Sequence, residues 1–170
     1  GQIMLFRVVP SSGPDLSVIP PVLTTMTRLS NPTVTRTMTL NEMMGPGGAP
    51  VGALLNGMDF HTEATEYPEL GATEMWEIVN MTGDMHPIHI HLVQFQLLNR
   101  QKYNVRRYTM AFEAANPNME SGEEYNPVDV TPYLRGKPTP ADANERGWKD
   151  TFRMNPGEVT RIVARWAPQN

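Results

Sequence analysis

Residues 85–95 read Met-His-Pro-Ile-His-Ile-His-Leu-Val-Gln-Phe, and they contain three of the four histidines of the chain. In a β-strand, residues two apart project from the same face, so His89 and His91 can approach a metal ion from one side. The same parity continues with Val93 and Phe95, which predicts that this face is buried. Buried imidazoles need partners for their nitrogens, and a metal ion is a common one. The segment is therefore a candidate metal-binding strand.

The side chain of His86 can project in a different direction, because His86 has the opposite parity to His89 and is followed by Pro87. Proline lacks a backbone donor and fixes φ, so we expect His86 at the entry of the strand, aimed away from the other two histidines. One segment can therefore serve two metal sites. The fourth histidine, His61, stands alone in the sequence, and we interpret it as a structural or near-surface residue.

Further strands are predicted where apolar and polar residues alternate or where short apolar runs occur: residues 34–40, 51–55, 73–80 and 159–166. Asn56-Gly57 is a hairpin signal after the second of these. Residues 99–147 are polar and proline-rich, which predicts a long loop insertion, with one short helix between Thr139 and Gly147. The pattern indicates an all-β sandwich with one elaborate insertion.

Composition excludes several functions. The chain has 170 residues, with 18 acidic and 14 basic side chains and a net charge of −4, so we expect no nucleic acid and no anionic membrane as a partner. No apolar run is long enough to span a bilayer. The absence of cysteine from this sequence excludes disulfides and thiolate nucleophiles within it.

Residues 85–95 closely resemble the first histidine motif of the C-terminal cupredoxin domain of multicopper oxidases. The variant with Leu92-Val93 is similar to the bacterial group of spore-coat laccase, bilirubin oxidase and phenoxazinone synthase. Matches in the same order cover nearly the whole chain; they include Gln2-Ile3-Met4, Leu54-Leu55-Asn56, residues 73–80 and residues 147–151. The resemblance implies a cupredoxin-like Greek-key β-sandwich at 34–170, incomplete at its C-terminus, after a strand and extended interdomain linker at 1–33.

Copper ligands are also implied by the resemblance. It assigns His86 to the type-1 copper, which takes electrons from the substrate, His89 to the type-2 copper and His91 to a type-3 copper. Dioxygen is reduced to water at the last two. The implied activity is a laccase-like oxidation of phenolic, aromatic amine, bilirubin-like or metal-ion donors. We expect the insertion at 99–147 to shape the surroundings of His86.

One departure from the family pattern is important, because the sequence stops at Asn170 before the family's second motif, His-Cys-His. We therefore expect the remaining ligands to come from the rest of the same oxidase, namely its N-terminal cupredoxin domains and a C-terminal His-Cys-His segment. Two alternatives stay open: a non-catalytic cupredoxin-like structural or interaction domain, and a mononuclear His-x-His metal-binding protein. The family suggests an extracytoplasmic or spore-coat location, with a cytoplasmic one also possible.

Overall fold

The computed structural model describes residues 4–117 and 122–167, which form nine strands and one α-helix. The strands are β1 (Val34–Met44), β2 (Pro50–Leu55), β3 (Thr73–Asn80), β4 (His86–His89), β5 (Phe95–Lys102), β6 (Thr139–Pro140), β7 (Trp148–Lys149), β8 (Thr151–Met154) and β9 (Glu158–Arg165). The helix α1 spans Val105–Ala115, and single 3-10 turns lie at Thr131–Tyr133 and Ala143–Glu145.

Two sheets make up the sandwich. The larger has the order β2-β1-β3-β9-β5-β6, and β7 also pairs with β5, while the smaller consists of β4 and β8. The pair β1–β3 is parallel and the other pairs are antiparallel. The chain therefore changes sheets between β4 and β5, and the histidine motif lies where it does so.

The main core contains buried side chains from both sheets, including Ile78 and Ile162 from the larger sheet and Phe152 and Met154 from the smaller. A second cluster includes Val79, Val159 and two residues of α1, Tyr108 and Phe112. Because neighbouring strand residues point to opposite faces, Ile78 and Val79 belong to different clusters. The helix thus covers the face of the larger sheet that is turned away from β4 and β8.

The predicted β-sandwich is confirmed, and each of the four predicted strands is present. Asn56 and Gly57 both have positive φ and make a tight turn. The residues on either side of this turn, Leu55 and Met58, pair only in an isolated bridge and not in a hairpin of two strands. The connection between β1 and β2 is instead the glycine-rich segment 45–49.

The prediction for residues 99–147 was wrong in two places. The first four residues continue β5, and an unpredicted helix follows at Val105–Ala115. The side chain of Asn104 caps this helix by accepting from the backbone N–H of Arg107, at 3.5 Å. In the region where the sequence predicted a helix, Thr139–Pro140 is strand and only the turn at Ala143–Glu145 is helical.

Residues 4–33 contain no helix or strand, as expected of an extended linker, but the strand that was also predicted within residues 1–33 is not formed in this described part, so that prediction was wrong there. The buried amide of Gln96 fixes one point of this segment: its Oε1 accepts from the backbone N–H of Leu29 at 3.0 Å, and its Nε2 donates to the carbonyl of Thr27 at 2.8 Å. The division of the chain into domains at residue 33 stays a prediction. In the described part of the chain, no helix is long and apolar enough to cross a membrane.

Candidate metal centre

His86 begins β4, and its ring is held through one nitrogen. Nε2 lies 3.2 Å from a carboxylate oxygen of Glu42 in β1 and 2.8 Å from the hydroxyl of Thr82. The hydroxyl of Thr82 donates its own proton to Asn80 and a carboxylate can only accept, so Nε2 carries a proton and the neutral ring has its lone pair on Nδ1. The side chain is largely buried, with an exposed fraction of 20%. His86 therefore has a fixed tautomer with Nδ1 available to a metal.

The position of Thr82 depends on Asn80, the fully buried last residue of β3. Asn80 Oδ1 accepts from the backbone N–H and from the hydroxyl of Thr82, both at 2.9 Å. Its Nδ2 donates to the carbonyls of Asp84 at 2.9 Å and of Met154 at 3.2 Å. One amide thus ties the turn before His86 to β8 across the core, and this turn presents the hydroxyl that contacts His86.

His89 and His91 form a pair on the other side of the segment. Their ring centroids are 4.9 Å apart, and both side chains are exposed. His89 Nδ1 lies 2.8 Å from the backbone carbonyl of Asp150, an acceptor only, so Nδ1 carries the proton and Nε2 is available. Both histidines line a surface depression of about 560 Å³ that also includes Asp150.

The predicted burial of the His89 and His91 face was wrong, because the chain reverses its parity at Leu92. The backbone N–H of Val93 bonds the carbonyl of His91 at 2.9 Å, and Leu92 between them has φ of 69°. This is the geometry of a classic γ-turn, which is rare and strained for a residue with a side chain. As a result, Val93 and Phe95 enter the core, while the two histidines face outward.

The donor set suits copper, for which imidazole is a good ligand. The two rings offer different nitrogens, Nδ1 of His86 and Nε2 of His89, because the other nitrogen of each is hydrogen-bonded to an oxygen, that of Thr82 for His86 and that of the Asp150 carbonyl for His89. Such bonds orient ligating histidines in metal sites. Within residues 4–117 and 122–167, no three His, Asp or Glu side chains converge closely enough to hold a metal ion unaided.

Three residues near the histidines were not predicted as part of a site. Glu42 and Thr82 contact His86, and Asp150 positions His89 through its backbone carbonyl rather than through its carboxylate. Glu42 had no signal in the sequence, since 43 residues separate it from His86 and the parallel pairing of β1 with β3 brings them together. His61 lies on an exposed turn.

The known proteins that this chain resembles include multicopper oxidases and laccases. The sequence profile of a family described as "Multicopper oxidase" matches residues 18–170. A laccase from Bacillus subtilis is 37% identical over 170 residues, covering 98% of this chain and 29% of the laccase. Multicopper oxidase LPR1 of Arabidopsis thaliana is 34% identical, covering 98% of this chain and 28% of the relative. The chain thus spans less than a third of the length of either relative.

Solved structures support the fold. A metallo-oxidase described as a multicopper oxidase from Campylobacter jejuni superposes with a TM-score of 0.58 at 18% identity, covering 92% of this chain and 29% of that one. A laccase from Pediococcus acidilactici gives a TM-score of 0.56 at 22% identity, covering 91% and 26%. Together with the profile match and the cupredoxin-like sandwich, these similarities show that the chain belongs to the multicopper oxidase family.

Proposed function

We propose that this chain supplies three histidine ligands to the copper sites of a laccase-like oxidase. His86 would hold the type-1 copper, His89 the type-2 copper and His91 a type-3 copper. The remaining ligands would come from other parts of the same oxidase, since the relatives are more than three times as long as this chain. The electron donors would be phenols, aromatic amines, bilirubin-like compounds or metal ions, and the acceptor would be dioxygen.

The observation that supports this division most is the opposite tautomers of His86 and His89. His86 is hydrogen-bonded at Nε2 to the Thr82 hydroxyl, with the Glu42 carboxylate 3.2 Å away, and His89 is hydrogen-bonded at Nδ1 to a carbonyl, so the free nitrogens differ. The strained turn at Leu92 adds to this, because it turns His89 and His91 outward together and away from the core. A backbone outlier beside candidate ligands is typical of functional sites.

Copper bound at these histidines would supply one-electron transfer, which the side chains of this chain do not provide. The chain's own residues orient the ligands. Glu42 and Thr82 hold the proton of His86 on Nε2, while Asn80 keeps Thr82 in place. The carbonyl of Asp150 holds the proton of His89 on Nδ1, which fixes the plane of that ring.

The test is oxygen uptake by the natural polypeptide that carries these residues, purified with copper. We expect four one-electron donor molecules to be oxidised for each dioxygen consumed, with no hydrogen peroxide released. His89→Ala should abolish uptake, whereas His61→Ala, a change at the exposed histidine, should not. Uptake that is absent from the wild type, or retained in full by His89→Ala, would overturn the proposal and favour the non-catalytic domain.

A further inference from the structure

The helix α1 presents an exposed stripe on the side that faces away from the sandwich. Tyr108 and Phe112 pack into the second cluster of buried side chains. Arg106, Met110 and Glu113 are exposed and lie four and three positions apart, so they line one side of the helix. Met110, between the two charges, leaves 59% of its surface exposed. An apolar residue flanked by charged residues is typical of a helix that packs against another helix.

The charges on α1 are opposite to those that an isolated helix favours. The N-terminal end of a helix is partially positive and the C-terminal end partially negative, so acidic residues stabilise the first turn and basic residues the last. Here the first turn contains Arg106 and Arg107 and no acidic residue, while the last turn contains Glu113 and no basic residue. These charges therefore destabilise α1 unless charges outside the helix compensate for them.

Exposed residues next to the helix extend this separation of charge. Lys102 precedes the helix, and its carbonyl accepts from the backbone N–H of Arg135 at 2.8 Å, so these two exposed cations lie on adjacent backbone segments. Like charges on neighbouring segments of this kind are destabilising. At the other end, Glu123 and Glu124 are exposed in a segment that packs against the C-terminal half of α1 through an aromatic contact. One face of the molecule thus has a positive end and a negative end.

These charges are not compensated within the chain. The ion pairs in the described part of the chain all involve other residues. The two ends are separated by an 11-residue helix, which is roughly 16 Å long, so they are too far apart to pair with each other. The compensating charges therefore have to come from another molecule.

We propose that this face is a homodimer interface, in which two copies of the chain pack their α1 helices antiparallel about a two-fold axis beside Met110. Arg106 and Glu113 lie on one side of the helix, before and after Met110, so each Arg106 meets Glu113 of the second copy. The two methionines meet beside the axis, and the positive end of each copy faces the negative end of the other. A single surface thus supplies both halves of every contact, as a two-fold interface requires. This self-complementarity favours a second copy over an unrelated charged partner.

Sedimentation velocity of the natural polypeptide tests the interface without turnover, so its result is independent of the proposed function. At low ionic strength we expect a monomer–dimer equilibrium. At about 1 M salt, where the screening length falls to about 3 Å, we expect monomer. A wild type that remains monomeric at millimolar concentration and low salt would overturn the proposal, and so would a dimer that high salt does not weaken.

Charge reversal identifies the contact. Arg106→Glu gives a stripe with two acidic residues and Glu113→Arg one with two basic residues, so each variant alone should dimerise at least about tenfold more weakly than the wild type. An equal mixture of the two should recover the dimer, because both contacts then join opposite charges. Both changes suit the helix dipole, so α1 should be retained, which circular dichroism checks. Failure of the mixture to dimerise, or unchanged dimerisation of either variant, would overturn the proposal.

The matched control is Arg165→Glu, the same charge reversal at the exposed last residue of β9. It alters the net charge as much as Arg106→Glu does but lies outside the helix. Its dimerisation should equal that of the wild type. An equal loss for Arg165→Glu would overturn the proposal, because it would show an effect of net charge rather than of a contact.

Discussion

The ion pair between Arg100 and Glu145 gives the sharpest stability prediction. Arg100 in β5 donates to both carboxylate oxygens of Glu145 at 2.7 Å, and the side chains are only 6% and 9% exposed. Removing one member of such a pair leaves a buried charge without its partner and typically lowers the free energy of unfolding by about 3–5 kcal/mol. We expect Glu145→Gln to lower the free energy of unfolding by about 3 kcal/mol, since the amide oxygen still accepts one bond.

A matched control lies next to this pair. Arg153 forms an ion pair with Asp142, and these side chains are 49% and 52% exposed. Asp142→Asn should therefore lower the free energy of unfolding by less than about 1 kcal/mol. Urea denaturation of the two variants and the wild type measures both values. Equal losses for Glu145→Gln and Asp142→Asn would contradict the role of burial. The result bears on the site, because the turn containing Glu145 leads directly into β7, Asp150 and β8.

The same pair predicts a dependence on pH. Hydrogen bonds from Arg100 hold the pKa of the Glu145 carboxyl below its ordinary value of 4.5. A group whose pKa is lowered by folding stabilises the fold in its charged form. Its contribution is therefore complete above pH 4.5 and is lost as the pH falls through the lowered pKa. The stability difference between the wild type and Glu145→Gln should shrink over that interval, and a difference that grows on acidification would refute the reasoning.

Three further changes test the backbone around the site. At Gly57, φ is +83° and a Cβ would lie 2.4 Å from a backbone oxygen, so Gly57→Ala should lower the free energy of unfolding by about 2 kcal/mol. The control is Gly47→Ala, where a Cβ would meet open space and the free energy of unfolding should change by less than about 0.5 kcal/mol. Equal urea midpoints for the two variants would contradict this prediction. Leu92→Gly should raise the free energy of unfolding by up to about 1 kcal/mol, because relief of the strained φ outweighs the entropy that glycine adds to the unfolded chain. A clear decrease in the free energy of unfolding would contradict the strain at Leu92. Gln96→Met should release the linker and speed tryptic cleavage after Arg28, and an unchanged cleavage rate would show that the amide does not hold it.

The sequence contained enough to predict the strands but not the turn that orients the histidines. Alternation identifies β3 and β9 because each has one face on the main core. The reversal at Leu92 could not be predicted, because leucine is not expected at positive φ. In the sequence, the period-two pattern of the strand continues across Leu92 without a break. The helix α1 did leave a signal that was missed: no glycine or proline occurs from Tyr103 to Asn116, and Asn104 is a favourable cap.

The surroundings of His86 depend on contacts between distant segments, which no local pattern reports. Glu42 reaches the histidine because β1 pairs with β3 in parallel, and Glu113 lines a surface depression together with Glu42 because α1 covers the adjacent face of the sheet. Proximity in the fold, rather than any motif, thus determines which groups surround His86. This is why the histidine cluster was visible in the sequence, whereas the groups around it were not.

Copper content tests the central claim most directly, namely that His86 belongs to one copper site while His89 and His91 belong to another. Copper per polypeptide and the electron paramagnetic resonance spectrum would be measured for the wild type, for each histidine-to-alanine variant and for His61→Ala as control. We expect His86→Ala to lose the type-1 signal and keep the type-2 signal, and His89→Ala to do the reverse. Loss of the same signal from both variants, or full copper in both, would contradict the division of the motif between two sites.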